Sequence, residues 1–456
     1  MKDNKIKIQF LGAAGTVTGS KHLIQVAGKK ILIDCGLFQG LKKLRQLNWE
    51  PLSVNPETID VVLLTHGHLD HVGYLPKLVK AGFSGKIIGT APTLEIAKII
   101  LEDSAKIQEE DADYANKKGF SKHKKAQPLY DLKDVAKTLP HFEEQPLDKW
   151  IKLFKGISYR FRYNGHIIGA TFLEMDIAGK RFVFSGDVGR DNDVLLLNPA
   201  KPDSADILFI ESTYGDRLHP HNPKGQLAEV INNAVKKNGI IIIPSFAVER
   251  TQLLMYLLWQ LKKKKEIPNI PVYMDSPMGN NVLEVFHHNT DWHKLSAKDC
   301  TEMCNNITRI KTIEESKNLL ADDSPKIVIA GSGMAAGGRV LGYFQKYLYN
   351  PTATILLVGF QAEGTRGRQL LDGVPEIKLY GQYYTVKAKI ENIQGLSGHA
   401  DQKELLDWVS HIKSKPERIF IVHGEAQAAD VFRVKLKDTY GWDAEIAELN
   451  QVVKLS

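Results

Sequence analysis

The chain has 456 residues, 43% hydrophobic and 25% charged, the balance of a globular protein with apolar surface for more than one core. Lysine plus arginine exceed aspartate plus glutamate by 60 to 53, a formal +7 that fits a polyanionic ligand without defining one. No run of about 18 apolar residues occurs, so no membrane span is expected. Three cysteines (Cys35, Cys300, Cys304) are too few for a disulfide framework and point to a reducing cytoplasm.

The chain enters a strand at residues 5–11, which leaves no room for a secretory signal. Residues 29–34, 61–65 and 86–90 read as further strands. Directly after the apolar run Val61-Val62-Leu63-Leu64 come Thr65-His66-Gly67-His68-Leu69-Asp70-His71, with four potential metal ligands in six residues. So many imidazole and carboxylate groups desolvate and repel one another unless a cation takes up their lone pairs. In an extended segment His66, His68 and Asp70 share one face, and His71 begins the next turn, so the spacing suits two ions better than one.

Residues 94–115 and 132–138 read as helices packed outside the sheets. Residues 172–177 and 181–185 read as a hairpin turning at Ala178-Gly179-Lys180. Charge clusters at Lys122-His123-Lys124-Lys125 and Lys262-Lys263-Lys264-Lys265. The second run reads as a solvated face, and the first lies between the metal motifs, within reach of a substrate. Cys300 and Cys304 stand four apart with no partner pair nearby and read as ordinary thiols.

A different style begins near residue 202. Strand, small-residue loop and helix recur at 239–244, 271–274, 326–330 and 353–358, which predicts a parallel sheet with its ligand crevice at the strands' carboxyl ends. Ser245, Arg250, Ser276, Ser332, Gly333, Arg339, Thr365 and Arg366 occupy those loops and are candidates for holding a phosphate backbone. Phe246, Phe360, Tyr383 and Tyr384 fit either base stacking or core packing. The stretch from about residue 390 supplies His399 and His423 and returns to the first domain.

Taken in order, the His66–His71 cluster, Asp34 in Ile31-Leu32-Ile33-Asp34-Cys35-Gly36, His166 in Asn164-Gly165-His166 and Asp187 in Phe184-Ser185-Gly186-Asp187 resemble the motifs of the metallo-β-lactamase fold hydrolases. Glu211-Ser212-Thr213-Tyr214, Ser397-Gly398-His399-Ala400-Asp401 and Ile419-Phe420-Ile421-Val422-His423 look like motifs A, B and C of the β-CASP nucleases within that group. The resemblance spans nearly the whole chain. It implies an α/β fold, a metallo-β-lactamase αββα sandwich with an inserted parallel-sheet β-CASP domain that closes over the metals and grips RNA. The expected domains are residues 1–205, 206–388 and 389–456.

The same resemblance implies roles. His66, His68, His166 and Asp187 hold one Zn²⁺. Asp70, His71, Asp187 and His423 hold a second, with Asp187 bridging and Asp70 also counted as catalytic. Asp34 orients the histidine cluster, His399 is the general acid and Glu211 positions it. Attack by a metal-activated water leaves a 5′-phosphate and a 3′-hydroxyl. Histidine at motif C goes with the RNA-processing members. The chain is most similar to the compact bacterial relatives of the 73-kDa subunit of the cleavage and polyadenylation specificity factor, since it starts at the metal scaffold and ends soon after motif C. A homodimer is common in the family. Two rival readings are a small-molecule metallohydrolase of the same fold and an inactive RNA-binding scaffold. The first needs neither the inserted domain nor His399, and the second loses metal ligands that are all present in this chain.

Overall fold

The computed structural model describes residues 5–119 and 125–455; Lys122, His123 and Lys124 of the first basic cluster lie outside the described residues. In chain order its strands are β1 (Ile6–Phe10), β2 (His22–Val26), β3 (Lys29–Ile33), β4 (Val61–Leu63), β5 (Lys86–Gly89), β6 (Phe142–Glu144), β7 (Ile151–Phe154), β8 (Ile157–Tyr163), β9 (Thr171–Ile177), β10 (Lys180–Phe184) and β11 (Ile207–Glu211). There follow β12 (Ile241–Ser245), β13 (Val272–Asp275), β14 (Thr308–Arg309), β15 (Ile327–Gly331), β16 (Thr354–Val358), β17 (Glu376–Leu379), β18 (Gln382–Thr385) and β19 (Lys389–Ile393), then β20 (Arg418–Val422), β21 (Glu445–Ile446) and β22 (Val452–Leu455). The chain divides into two compact units, Met1–Leu218 with His399–Ser456, and His219–Gly398.

The first unit holds two seven-stranded sheets, ordered β22-β1-β2-β3-β4-β5-β6 and β21-β20-β11-β10-β9-β8-β7. Alternation along β8 shows why they pack. Ile157, Tyr159, Phe161 and Tyr163 turn inward, while Ser158, Arg160 and Arg162 point away. The inner faces share one core, with Phe10, Ile24, Ile31 and Leu63 from the first sheet and Phe161, Phe182, Phe209 and Phe420 from the second. Helices cover the outer faces. Gln402–Ser410 and Ala426–Tyr440 lay Trp408, Phe432 and Leu436 against Val183, Leu208 and Ile421 of the second sheet. Ala91–Lys118 buries Leu94, Ile96, Ala97 and Leu101. The result is helix, sheet, sheet, helix.

The parallel pairs β3–β4, β10–β11 and β11–β20 run so that their carboxyl ends carry Asp34, His66, Asp187, Glu211 and His423. β11, expected to open the inserted domain, lies between β10 and β20 of the first unit, and β19, expected in the returning segment, pairs with β16 of the second.

The second unit is a six-stranded, wholly parallel sheet, β14-β13-β15-β12-β16-β19, with helices in its crossovers. The strand–loop–helix repeat predicted this. Pro244 sits in the central strand β12, where a missing N–H normally breaks a ladder. It is tolerated because β12 pairs with β16 only through Ile241 and Ile242, so that ladder has ended before the proline. A separate hairpin, β17–β18, completes the unit.

Candidate metal centre

Two groups of ligand atoms lie at the carboxyl ends of the first unit's strands: His66, His68, His166 and Asp187 in one, and Asp70, His71 and His423 in the other, the atoms of each group all within 4.8 Å of one another. His66 Nε2 and His166 Nε2 each stand 3.2 Å from His68 Nδ1, and 3.4 and 3.5 Å from Asp187 Oδ2. The other oxygen, Oδ1, stands 3.3 Å from His71 Nε2 and 3.6 Å from His423 Nδ1. His423 Nε2 is 3.2 Å from His71 Nε2 and 3.4 Å from Asp70 Oδ2. A tetrahedral ion with bonds of about 2.0–2.1 Å separates its ligands by about 3.3–3.4 Å, so the first set fits a divalent ion and the second has the same spacing. Asp187 Oδ1 is buried with no hydrogen-bond partner, the state expected of a carboxylate oxygen placed to hold a cation.

The motif folds differently from its expected course. His66 and His68 are extended, with His68 as the N-cap, but the chain turns at Leu69 into a short helix, Leu69–Val72. Asp70 therefore does not share a strand face with His66 and His68. It joins His71 and His423 in the second group. The tight turn depends on Gly36, because a Cβ there would lie 1.5 Å from the Asp70 carbonyl oxygen.

The orienting groups form two parallel arrangements. Asp34, at φ +58, accepts from Thr65 N, Thr65 Oγ1 and His71 Nδ1, each at 2.8 Å. Since the Thr65 hydroxyl gives its one proton to Asp34, its lone pair accepts Nδ1–H of His66 at 3.1 Å. Both histidines thereby turn Nε2 toward the ligand cluster. Glu211 repeats the device. It accepts from Thr213 Oγ1 at 2.6 Å and faces His399 Nδ1 at 3.2 Å, and the Thr213 oxygen accepts from His423 Nδ1 at 3.1 Å. His423 has φ +48, a left-handed conformation that bulky residues adopt at sites under constraint. Sequence reasoning quoted Thr65 and Thr213 without giving them a role. Their signal was position, one residue before His66 and two after Glu211 on the same side of an extended chain. Asn164, whose Nδ2 donates to the carbonyls of Ser185 and Asp187 at 2.6 Å each, also went unread.

Burial holds His66 and His166 below the usual imidazole range and pushes His68 down to about 3, so the first group's lone pairs are free at neutral pH. Burial works the same way on His71 and His423, but Asp187 outweighs it and lifts both, helped by Asp34 at His71 and by Asp70 at His423. The carboxyls of Asp187 and Asp70, which burial alone would raise, are held low by those same histidines. The second group thus carries positive charge that a divalent ion would replace. His399 lies outside both groups but forms a third with Asp187 and Glu211, its Nδ1 4.0 Å from Asp187 Oδ2 and its ring 4.3 Å from that of His166.

In the second unit, most of the polar side chains expected to meet phosphate are engaged locally. Ser276 and Thr365 are N-caps, Ser245 accepts from Thr251 Oγ1 at 3.1 Å, and Ser332 accepts from Ala336 N and Gly337 N. Gly333 packs on Phe246, whose ring a Cβ would meet at 2.4 Å. Arg339 is bound to the buried Asp275, which also takes hydrogen bonds from Ser316 and Tyr343. Arg366 donates to the carbonyls of Lys378, Ala335 and Ala336. Arg250 lies over Gly359, its Cζ 3.4 Å from where a Cβ would stand.

A sandwich with a buried histidine–aspartate cluster at its strand ends, interrupted by a parallel α/β unit, defines a metallohydrolase scaffold with an inserted domain. The chain belongs to the metallo-β-lactamase superfamily, in its β-CASP branch. Residues 15–243 match the metallo-beta-lactamase superfamily, 251–370 the Beta-Casp domain and 383–447 the Zn-dependent metallo-hydrolase RNA specificity domain. Ribonuclease TTHA0252 of Thermus thermophilus is 34% identical over 433 residues, which cover 92% of this chain and 94% of that one. Transcription termination factor FttA of Methanosarcina mazei is 30% identical over 451 residues, 94% of this chain and 68% of its own. A crystal structure of a protein of unknown function from Enterococcus faecalis V583 shares the fold, with TM-score 0.53 and 14% identity over 99% of this chain and 100% of that one.

Proposed function

We propose that the chain is a zinc-dependent ribonuclease that hydrolyses RNA phosphodiester bonds in RNA processing or decay, with two ions per chain. His66, His68, His166 and Asp187 would hold the first, and Asp70, His71, Asp187 and His423 the second. The observation that carries the reading is the orientation of Asp187, with one oxygen toward each histidine group. Paired divalent ions of this kind supply an acidified water and neutralise charge on the phosphoryl oxygens.

The chain's own residues do the rest. His399 gives a proton to the departing 3′-oxygen as the P–O bond breaks. Glu211 holds Nδ1–H of that ring, which directs Nε2 to the leaving group. Asp34 and Thr65 keep His66 and His71 in ligating orientation. We assign phosphate contacts to the loops at the carboxyl edge of the second unit's sheet, where Arg339 and Arg366 act through the loop shapes they hold. Three free cysteines suit a reducing compartment, the cytoplasm; among the described residues no helix is long and apolar enough to cross a membrane.

Metal analysis of protein never exposed to chelator tests the centre: about two zinc per chain is expected, and none would leave the scaffold reading. Linear 5′-monophosphorylated, linear 5′-triphosphorylated and circular RNA, each with a chelator control, test the activity. Cutting of the circle establishes endonuclease action, and mononucleotides released only from the 5′-monophosphate establish a 5′-to-3′ exonuclease. Failure to cut any of them when metal-loaded sinks the proposal.

A further inference from the structure

The β17–β18 hairpin of the second unit divides its side chains sharply between two faces. Ile377 and Leu379 are buried in that unit's core, and Tyr384 packs against the same core, its hydroxyl accepting from Gln345 Nε2 at 2.9 Å. On the other face Lys378 pairs with Tyr383, which is 68% exposed, and the ammonium stands 5.6 Å from the ring centre. At the hairpin's base, Lys387 N and Ala388 N donate to the Leu348 carbonyl, beside Tyr349. That ring is 64% exposed, with Lys387 Nζ 3.9 Å from its centre.

The tip is Tyr380-Gly381, at φ +48 and +85. A two-residue hairpin turn calls for two left-handed residues, usually Asn-Gly or Asp-Gly. A tyrosine there is strained by about 1 kcal/mol or more, and at 48% exposed the ring regains little of that through burial. The hairpin is also braced. Arg366 Nε donates to the Lys378 carbonyl while its NH1 reaches the Ala336 carbonyl, tying the strand to the loop that follows β15.

We infer that this hairpin, with Tyr349, is a stacking platform for single-stranded RNA. Exposed rings interleaved with ammonium groups meet both halves of such a strand, the bases by stacking and the phosphates by charge. A second copy of the chain fits the face less well, because a two-fold contact would set this lysine-bearing surface against another of the same charge. The choice of RNA as occupant rests on the ribonuclease reading.

The test is fluorescence anisotropy of a labelled oligouridylate with the full-length protein in a chelating buffer, so that binding is read without cleavage. Tyr383→Ala and Tyr380→Gly are each expected to weaken binding about 5- to 100-fold. Tyr383→Phe, which keeps the ring, is expected to stay within about 2-fold of the parent. Tyr380→Gly relaxes the turn, so its folding is secure. If Tyr383→Ala binds as the parent does, the platform is refuted. A change of oligomeric state in light scattering with RNA affinity intact refutes it equally and makes the face a self-interface. Metal-loaded parent protein that leaves RNA uncut would instead overturn the ribonuclease reading, a result independent of the chelated binding measurement.

Discussion

Thr213 has a single hydroxyl proton, and Glu211 takes it. The consequence for His423 is a fixed tautomer, so removing the hydroxyl frees the ring to present the wrong nitrogen. Thr213→Val keeps the side chain's shape and is expected to weaken the second ion about 10–100-fold, the usual cost of losing an orienting partner, while the first ion stays. Thr65 serves His66 and also supports Asp34, which holds His71, so Thr65→Val is expected to loosen both ions. Metal content after dialysis against graded chelator separates the two cases. A Thr213→Val protein that keeps both ions at the parent's chelator tolerance would remove the threonine from this role. His399 makes the opposite forecast. His399→Gln should lower turnover roughly 10²–10⁴-fold with both ions retained; an emptied site would make it a ligand instead.

At the scale of elements, the metal loop is shaped by what cannot fit. Gly36 has an ordinary φ, so the objection to a side chain there is steric and falls on the backbone of Asp70. Gly36→Ala must push the Leu69–Val72 helix away from β3, and is expected to cost more than about 2 kcal/mol and to lower metal content. Gly28 is the comparison. It sits at φ +77 with open space around its Cβ position, so Gly28→Ala should cost only about 1 kcal/mol of left-handed strain and leave the ions bound. Thermal melts paired with metal analysis check both, and equal losses would contradict the argument. The same loop marks how far the sequence could be read. Strand runs, the parallel repeat and the histidines and aspartates that gather into one cluster announced themselves through period and residue type. The turn at Leu69 did not, because it is held from a distance in sequence by Cys35 and Leu37, whose amides donate to the His71 and Leu69 carbonyls. The partners of Arg339 and Arg366 were hidden for a similar reason. Asp275 is a neighbour only once β13 and β15 pair, and the carbonyl of Lys378 only once the β17–β18 hairpin forms.

For the whole molecule, the core of the first unit carries a charge that its fold must accommodate. Lys21 is 1% exposed, its ammonium bonded to the Gly36 carbonyl at 2.6 Å and set near the rings of Phe38 and Tyr74. Burial brings its pKa down to about 8 from the usual 10.5. The sign follows from proton counting. Below pH 8 both folded and unfolded chains hold the proton, and the folded one bears the full cost of desolvating it, about 3 kcal/mol for a shift of this size. Between pH 8 and 10.5 the folded chain releases the proton and the unfolded chain keeps it, so the Lys21 contribution to stability improves as pH rises. Lys21→Met removes that cost at every pH. Its advantage over the parent should therefore be greatest at pH 7 and shrink steadily toward pH 10.5, whatever the tyrosines and Cys35 contribute, since they are common to both proteins. Denaturant midpoints of metal-loaded parent and variant at pH 7, 8, 9 and 10 measure the difference directly. A gap that stays constant across that range would mean that the folded protein keeps Lys21 charged throughout, and that its two aromatic neighbours and the Gly36 carbonyl solvate an ammonium as well as water does.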